Sequence, residues 1–215
     1  MNSTCFSLPK VAAYRIPNAH PFNLVLARGS VVDFEYSNRH ASAIVNAANE
    51  GCLGGGGVDG AISAAGGANL YNDREALPEV RPGVRCPTGK AVITGPNSYG
   101  DLRTSHVIHA VGPNYLFYDT DEGIAEGDAL LSSAYTASLD CGKDAKLEAI
   151  AFSLLSAGVF RGSKSVDEVL TIGIQSIIDF DGYQELKDVY MCAFNQKEAD
   201  ALVGVANKLG LDEIV

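Results

Sequence analysis

The feature that most constrains this chain is a run of four glycines, Gly54–Gly57, which separates two apolar segments. Residues 43–45 before it predict the buried end of a strand, and residues 58–66 after it have an apolar pattern compatible with a helix. Glycines without side chains to pack are expected where the backbone needs a positive φ or where another molecule approaches the main chain closely. A glycine loop that leads into a helix N-terminus presents unpaired N–H groups, which favour an anion such as phosphate. The segment therefore predicts an anion-binding loop, and the alternative is a flexible surface loop.

Two common phosphate-loop motifs fit this segment poorly. A Walker A loop requires Gly-Lys-Ser/Thr after the glycines, and the sequence has no such tripeptide there. Residues 55–60 do satisfy the dinucleotide pattern G-x-G-x-x-G, with Asp73 or Glu75 as the acid that would bind a ribose. In a Rossmann turn, however, the strand leads almost directly into the first glycine, whereas here residues 46–53 intervene. A nicotinamide-dependent oxidoreductase is therefore the least favoured function.

The composition argues against several classes of protein. A net charge of −10 disfavours a protein that binds the nucleic-acid backbone, because such binding requires a basic face. No apolar run approaches the length of a membrane span, and the N-terminal residues lack the pattern of a secretory signal. We therefore expect an intracellular protein, cytoplasmic or nuclear, with neither a nucleic acid nor a membrane as its partner.

The cysteines predict neither disulfides nor a metal site. Their number is odd and they are widely separated, which is typical of free thiols in a reducing compartment. No pair has the spacing of metal ligands, and the four histidines do not cluster with them. The five are Cys5, Cys52, Cys86, Cys141 and Cys192.

Strand and helix patterns alternate along the chain, which indicates an α/β layer structure. We expect one domain over residues 1–215, with roughly residues 1–20 as an N-terminal extension. The predicted strands are 11–15, 23–27, 43–46, 91–94, 107–111, 147–152 and 189–194. The predicted helices are 58–66, with a continuation towards Leu77, and 122–141, 166–179 and 196–209.

The motif at the glycines is specific enough to indicate a family. Residues 46–49 (Asn-Ala-Ala-Asn), followed by residues 54–62 (Gly-Gly-Gly-Gly-Val-Asp-Gly-Ala-Ile), resemble the signature of the macrodomain family, which binds ADP-ribose. Three later segments match the family in the same order, namely residues 86–94, 106–113 and 154–160. The resemblance covers roughly residues 20–210, and it implies a three-layer α/β/α sandwich with a mixed central sheet.

The resemblance implies three catalytic residues, Asn49, Asp59 and Phe160. Asn49 is expected to hold the distal ribose of ADP-ribose, since an amide offers donors and an acceptor to a diol. Asn46 is expected to shape the loop, and Asp59 to orient or deprotonate a water. The structural alternatives are that both asparagines tie down turn backbone and that Asp59 lies at the helix start because of the helix dipole.

The resemblance also implies two loops that contact the ligand. The first is formed by Gly55, Gly56, Gly57 and Val58, and the second by Ser156, Ala157, Gly158, Val159 and Phe160. Backbone amides of the second loop are expected to bind the pyrophosphate, while Phe160 packs on the distal ribose. Gly158 is expected to have an unusual φ, so that consecutive N–H groups can face one anion. Arg161 stands where the family usually has Gly; it either reaches the phosphates or is solvated.

The adenine end departs from the family pattern. Phe194 is expected by resemblance to stack on the adenine. Asn195 would follow it in the site, but its spacing from Glu198 favours a structural role as a helix N-cap. Ser30 and Val31 stand where the family commonly has Asp-Ile, whose Asp accepts a hydrogen bond from the adenine amino group. Exchanging that carboxylate for a hydroxyl is expected to weaken binding by about 1 kcal/mol.

The function expected from the resemblance is recognition of ADP-ribose and hydrolysis of ester-linked ADP-ribose. The substrate would be a mono-ADP-ribosylated acidic side chain or O-acetyl-ADP-ribose. A non-catalytic module that reads ADP-ribosylated proteins would use the same pocket and is the main alternative. ADP-ribose or an ADP-ribosylated protein is the expected partner, no cofactor or metal is required, and the sequence does not indicate an oligomeric state.

Overall fold

The computed structural model describes residues 8–214, which contain seven strands and four α-helices. The strands are β1 (Lys10–Ile16), β2 (Phe22–Arg28), β3 (Ser42–Ala47), β4 (Ala91–Thr94), β5 (His106–Ala110), β6 (Ala149–Phe152) and β7 (Asp188–Ala193). The helices are α1 (Gly57–Glu75), α2 (Asp121–Asp144), α3 (Val166–Ile178) and α4 (Gln196–Lys208). Each of these elements was predicted from the sequence, and their ends differ from the prediction by a few residues.

The strands form a single mixed sheet in the order β1-β2-β7-β6-β3-β5-β4. The two outer pairs, β1 with β2 and β4 with β5, are antiparallel, and the inner pairs are parallel. Helices cover both faces of the sheet. The predicted α/β/α sandwich with a mixed central sheet is therefore confirmed.

Each face of the sheet carries its own hydrophobic core. The larger core lies between the sheet and helices α2, α3 and α4, and the smaller one lies under α1. Successive strand residues point to opposite faces, so Ala43 and Val45 of β3 enter the larger core while Ile44 enters the smaller one. Strands buried on both faces are typical of parallel sheets, and this explains why the predicted strands are apolar without alternation.

The parallel strands bring five loops to one edge of the sheet. β2, β3, β5, β6 and β7 run in the same direction, so the segments that follow them leave from the same side. These segments begin at residues 29, 48, 111, 153 and 194. Ligands of open α/β sheets bind outside the carboxyl ends of the strands, which makes this edge the expected position of a site.

The N-terminal residues are only partly described. Residues 10–16 form β1, the edge strand that pairs with β2, whereas residues 1–7 lie outside the described part of the chain. The expectation of an N-terminal extension falls partly on those residues, as does the prediction for Cys5. The four cysteines of the described part have free thiols. No helix among residues 8–214 is both long and apolar enough to span a membrane.

Candidate functional site

A cleft of about 440 Å³ opens at the carboxyl edge of the sheet. Its walls come from the segment after β2, the first turn of α1, the segment after β6, and the end of β7 with the start of α4. The lining residues are Gly29, Ser30, Val31, Gly57, Val58, Ala61, Ser153, Leu154, Ala157, Gly158, Cys192, Phe194 and Glu198. Seven residues predicted to contact the ligand are among them: Ser30, Val31, Gly57, Val58, Ala157, Gly158 and Phe194.

The glycine loop ends at the N-terminus of α1, as its sequence predicts. Gly54 and Gly57 have φ values of 123° and 60°, in the left-handed region that favours glycine. Gly56 is the N-cap of α1 and supplies no side chain to the helix end. The N–H groups of the first helical turn therefore remain at the cleft wall, where they can serve an anion.

The Asn49 side chain holds the glycine loop together. Its Nδ2 donates to the carbonyl oxygen of Gly54 at 2.9 Å, and its Oδ1 accepts from the N–H of Gly51 at 3.1 Å. This is the structural alternative expected for an asparagine in a turn. The residue is nevertheless exposed, and its amide keeps a second N–H and a second lone pair. Its contact with a ribose stays a prediction.

Asn46 lies in the buried layer beneath that loop. Its Nδ2 donates to Oδ1 of Asp59 at 2.9 Å and lies 3.3 Å from Nδ1 of His109. Nε2 of His109 lies 3.1 Å from the hydroxyl of Thr94. Burial and the nearby Arg74 guanidinium hold the pKa of His109 well below its usual value, so the imidazole is neutral. Asn46 is thus part of the support of the loop and does not line the cleft.

Asp59 also lies beneath the glycine loop and does not line the cleft. Only 2% of the residue is exposed, and its Oδ1 lies 3.0 Å from Nη2 of Arg74. Its Oδ2 has no hydrogen-bond partner among the described residues. A Cβ placed on Gly55 would lie 3.0 Å from this oxygen, so the carboxylate lies against the backbone of the glycine loop. The role of Asp59 in handling water stays a prediction.

The second loop follows β6, and its positive φ values do not lie at Gly158. Gly158 has a φ of −91°, whereas Ser156 and Gly162 have positive φ values of 53° and 59°. The buried hydroxyl of Ser156 donates to the carbonyl oxygen of Pro113 at 2.7 Å, which holds this conformation. The expectation for Gly158 is therefore corrected, although no heavy atom of the described residues lies within 4 Å of a Cβ built there. That open space belongs to the cleft.

The remaining residues of this loop form a single 3-10 turn, Val159–Arg161. Val159 is 85% exposed, and Phe160 is half-buried beside the cleft without lining it. Arg161 is half-buried and does not line the cleft, and its Nη1 donates to the carbonyl oxygen of Lys164. Its contact with the phosphates stays a prediction.

The opposite end of the cleft is formed by Ser30 and Phe194. The Ser30 hydroxyl accepts from the N–H of Val32 at 3.3 Å and caps a short 3-10 turn. Phe194 is 74% exposed and presents an open aromatic face. Asn195 is the N-cap of α4, with its Oδ1 accepting from the N–H of Glu198 at 3.0 Å, which is the structural role favoured from the sequence.

Six residues that line the cleft were not predicted as ligand contacts, namely Gly29, Ala61, Ser153, Leu154, Cys192 and Glu198. Cys192 and Glu198 lie there because β7 ends and α4 begins at the cleft. Arg74 reaches Asp59 from the far end of α1. The sequence signal for this contact was the pair Gly66–Gly67 inside the predicted helix, because adjacent glycines can change the direction of a helix. Residues 8–214 contain no group of three or more His, Cys, Asp or Glu side chains that could hold a metal ion.

Comparison with known proteins identifies the family. The model of the macro domain family matches residues 45–171, which include both loops. The chain belongs to the macro domain family. A macro domain-containing protein of Caldanaerobacter subterraneus subsp. tengcongensis is 37% identical over 173 residues, covering 80% of this chain and 89% of that protein.

Solved structures agree with this assignment. The macrodomain of Oceanobacillus iheyensis with ADP superposes with a TM-score of 0.75 at 28% identity, covering 92% of this chain and 96% of that one. The macrodomain of Trypanosoma brucei in complex with ADP-ribose has a TM-score of 0.65 at 27% identity, covering 83% of this chain and 67% of that one. The macro domain fold therefore extends over most of the chain.

Proposed function

We propose that this macro domain binds ADP-ribose in the cleft at the carboxyl edge of its sheet. The observation that carries the proposal is the pair of loops on opposite sides of one cleft, with the N-terminus of α1 at Gly57 facing the turn at Ala157 and Gly158. Two such backbone surfaces suit a diphosphate better than one. The structures with ADP and with ADP-ribose among the similar macrodomains support the same ligand class.

The chemistry of the walls fits a ligand of this kind. None of the described residues that line the cleft is Lys or Arg, so an anion would be held by backbone N–H groups and the positive end of the α1 dipole. Phe194 offers a stacking surface for the adenine. Asn49 lies on the far side of the glycine loop, where its exposed amide would contact the distal ribose. This arrangement also reconciles a polyanionic ligand with a net charge of −10.

We propose further that the domain hydrolyses ester-linked ADP-ribose, on an acidic side chain or as O-acetyl-ADP-ribose. Asn49 and Phe160 would orient the ribose and Asp59 would act on the attacking water. The support for this finer proposal is the unpartnered Oδ2 of Asp59, a buried oxygen that can still accept a hydrogen bond.

One observation favours the alternative of a non-catalytic ADP-ribose reader. Asp59 is buried and paired with Arg74, so its carboxylate reaches a water only if a ligand or a small shift of the loop at Gly55 brings the water to Oδ2. A reader would use the same cleft without needing that contact.

The test incubates the protein with a substrate that is mono-ADP-ribosylated on acidic side chains and follows the release of free ADP-ribose. Hydrolysis predicts release that Asp59→Asn abolishes while binding of free ADP-ribose persists. A wild-type protein that binds ADP-ribose and releases none is a reader. A wild-type protein that does not bind ADP-ribose contradicts both proposals.

A further inference from the structure

The ion pair between Asp59 and Arg74 differs from every other ion pair among the described residues. Its two side chains are 3% and 1% exposed, whereas each of the others has at least one partner that is 35% exposed or more. Nη2 of Arg74 lies 3.0 Å from Oδ1 of Asp59, and Nη1 donates to the hydroxyl of Ser63 at 2.7 Å. The guanidinium is therefore held at two points directly beneath the glycine loop.

A change of direction within α1 makes this contact. Asp59 and Arg74 are fifteen residues apart, which is about 22 Å along a straight helix and beyond the reach of the two side chains. Gly67, however, has φ 61° and ψ −156°, a conformation that is essentially restricted to glycine. The helix is kinked there, and its second half returns Arg74 to the first turn. The Gly66–Gly67 pair thus serves to bring an arginine to the carboxylate.

The pair leaves one oxygen of the Asp59 carboxylate available. Oδ1 accepts from Arg74 and from Nδ2 of Asn46, while Oδ2 has no partner among residues 8–214. A Cβ built on Gly55 would lie 3.0 Å from this Oδ2 and 3.3 Å from Nδ2 of Asn49. Oδ2 of Asp59 and the side-chain amide of Asn49, which is expected to contact the ribose, therefore both lie next to Gly55.

Stability alone does not explain a buried arginine at this position. Removing two charges from water costs more than most buried ion pairs return, and a well-packed apolar pair is often as stable or more so. The arrangement does, however, restrict the carboxylate to one orientation.

We propose that Arg74 is a positioning residue for ester hydrolysis, which fixes Oδ1 of Asp59 so that Oδ2 is directed at the attacking water. This inference rests on the proposed function. The water oxygen bonds to the ribose carbon that carries the ester, and the bond from that carbon to the ester oxygen breaks. Oδ2 takes the proton lost by the water, and ADP-ribose leaves together with the freed carboxylate. Arg74 does not touch the substrate and acts through Asp59.

The test compares Arg74→Leu, Arg74→Lys and wild type by ADP-ribose release and by calorimetric titration of ADP-ribose. We expect Arg74→Leu to lower kcat by at least about tenfold, because a misdirected catalytic group loses its productive geometry, while Kd changes less than about threefold. Arg74→Lys should have an intermediate kcat, since an ammonium pairs with Asp59 but cannot bond Ser63 in the same fork geometry. Leu139→Ala, a fully buried position of α2 on the other face of the sheet, provides a control for loss of stability without loss of kcat.

The outcomes separate this inference from the proposed function. A wild type that hydrolyses the ester, together with an Arg74→Leu variant of unchanged kcat, contradicts the positioning role alone. An equal loss of kcat in Arg74→Leu and Leu139→Ala also contradicts it, because stability would then account for the effect. A wild type without hydrolysis contradicts the enzyme proposal and this inference together. If Arg74→Leu does not fold, Arg74→Lys decides the question. A wild-type kcat in Arg74→Lys then contradicts the inference, whereas a reduced kcat with unchanged Kd supports it.

Discussion

The glycine loop after β3 and the loop after β6 face the same cleft but are held in place by different means. Beneath the glycine loop lies a buried network that joins Asn46, Asp59 and Arg74 and includes a full ion pair. The loop after β6 is held by the hydrogen bond from the Ser156 hydroxyl to the Pro113 carbonyl oxygen and by close backbone packing at Gly162. The ion pair at its end joins Lys164 to Asp128, whose side chain is 35% exposed. Only the first loop therefore lies over an ion pair with both partners buried.

This difference predicts that substitutions in the two loops affect different properties of the protein. Removing a charge beneath the first loop leaves its partner buried and unpaired, which costs stability. Adding a side chain to the second loop should fill the cleft without disturbing the core, because the exposed residues of this loop make few packing contacts. Variants of the first loop should therefore affect folding and turnover, whereas variants of the second should affect the binding or orientation of the ligand with little effect on folding.

The largest effect is expected from Arg74→Leu. Leaving the Asp59 carboxylate buried without its partner should lower the free energy of unfolding by about 3–5 kcal/mol, a large part of the total for a domain of this size. Urea denaturation measures this change in the free energy of unfolding. The double variant Arg74→Leu/Asp59→Asn should recover much of the loss, because no buried charge remains. Equal stability of Arg74→Leu and wild type would mean that the ion pair does not support the first loop.

A smaller effect, confined to binding, is expected from Gly158→Val. The added side chain enters the cleft and should weaken ADP-ribose binding by about 1–3 kcal/mol, tenfold or more. Unfolding should change little, because no heavy atom of the described residues lies within 4 Å of the new Cβ. Gly204→Val on α4, where a Cβ is equally unobstructed, is the matched control and should bind normally. An unfolded Gly158→Val protein would show that this glycine serves the fold.

Phe160→Ala should act on turnover more than on affinity. The pyrophosphate would still be held by the backbone, but the ribose would lose a packing surface and part of its orientation, so kcat should fall by about tenfold while Kd changes less than about threefold. Steady-state kinetics and calorimetry give the two values. Phe117→Ala, an exposed phenylalanine that does not line the cleft, should behave like wild type. Normal turnover in Phe160→Ala would exclude a ribose-packing role.

The smallest effect is expected from Ser30→Asp, which should tighten ADP-ribose binding by about 1 kcal/mol, or about fivefold. Asp also caps a helical turn well, so the present bond from the Val32 N–H is replaced and the change reports on the ligand. The gain should vanish with the hypoxanthine analogue, which lacks the adenine amino group. An equal gain for both ligands, or none, would mean that position 30 does not face that group.

Much of the fold follows from local sequence patterns. Each strand and helix was predictable because apolar periodicity and capping residues such as Asn195 are local signals. The mixed sheet was implied by the family resemblance. The carboxyl edge of the sheet then brings together loops that are far apart in sequence, which explains why seven of the predicted ligand-contacting residues line one cleft.

The burial of individual side chains was not predictable from local sequence patterns. The sequence places Asp59 at the start of a helix, where an acid is usually accessible. No residue within one helical turn of Asp59 indicates that Arg74 contacts it and that the pair is buried. The contact depends on the direction that α1 takes after Gly67, which is a tertiary property. Likewise, the positive φ of the second loop lies at Ser156, a residue that rarely adopts it, because a bond to Pro113 from another segment holds it there.

The central claim, that both loops form one site for a diphosphate, is tested most directly by calorimetric titration with ADP-ribose and with AMP. ADP-ribose should bind clearly more tightly than AMP, since AMP can reach the adenine end at Phe194 but supplies neither the pyrophosphate nor the distal ribose. Equal affinities for the two ligands, or no binding of ADP-ribose, would contradict the account.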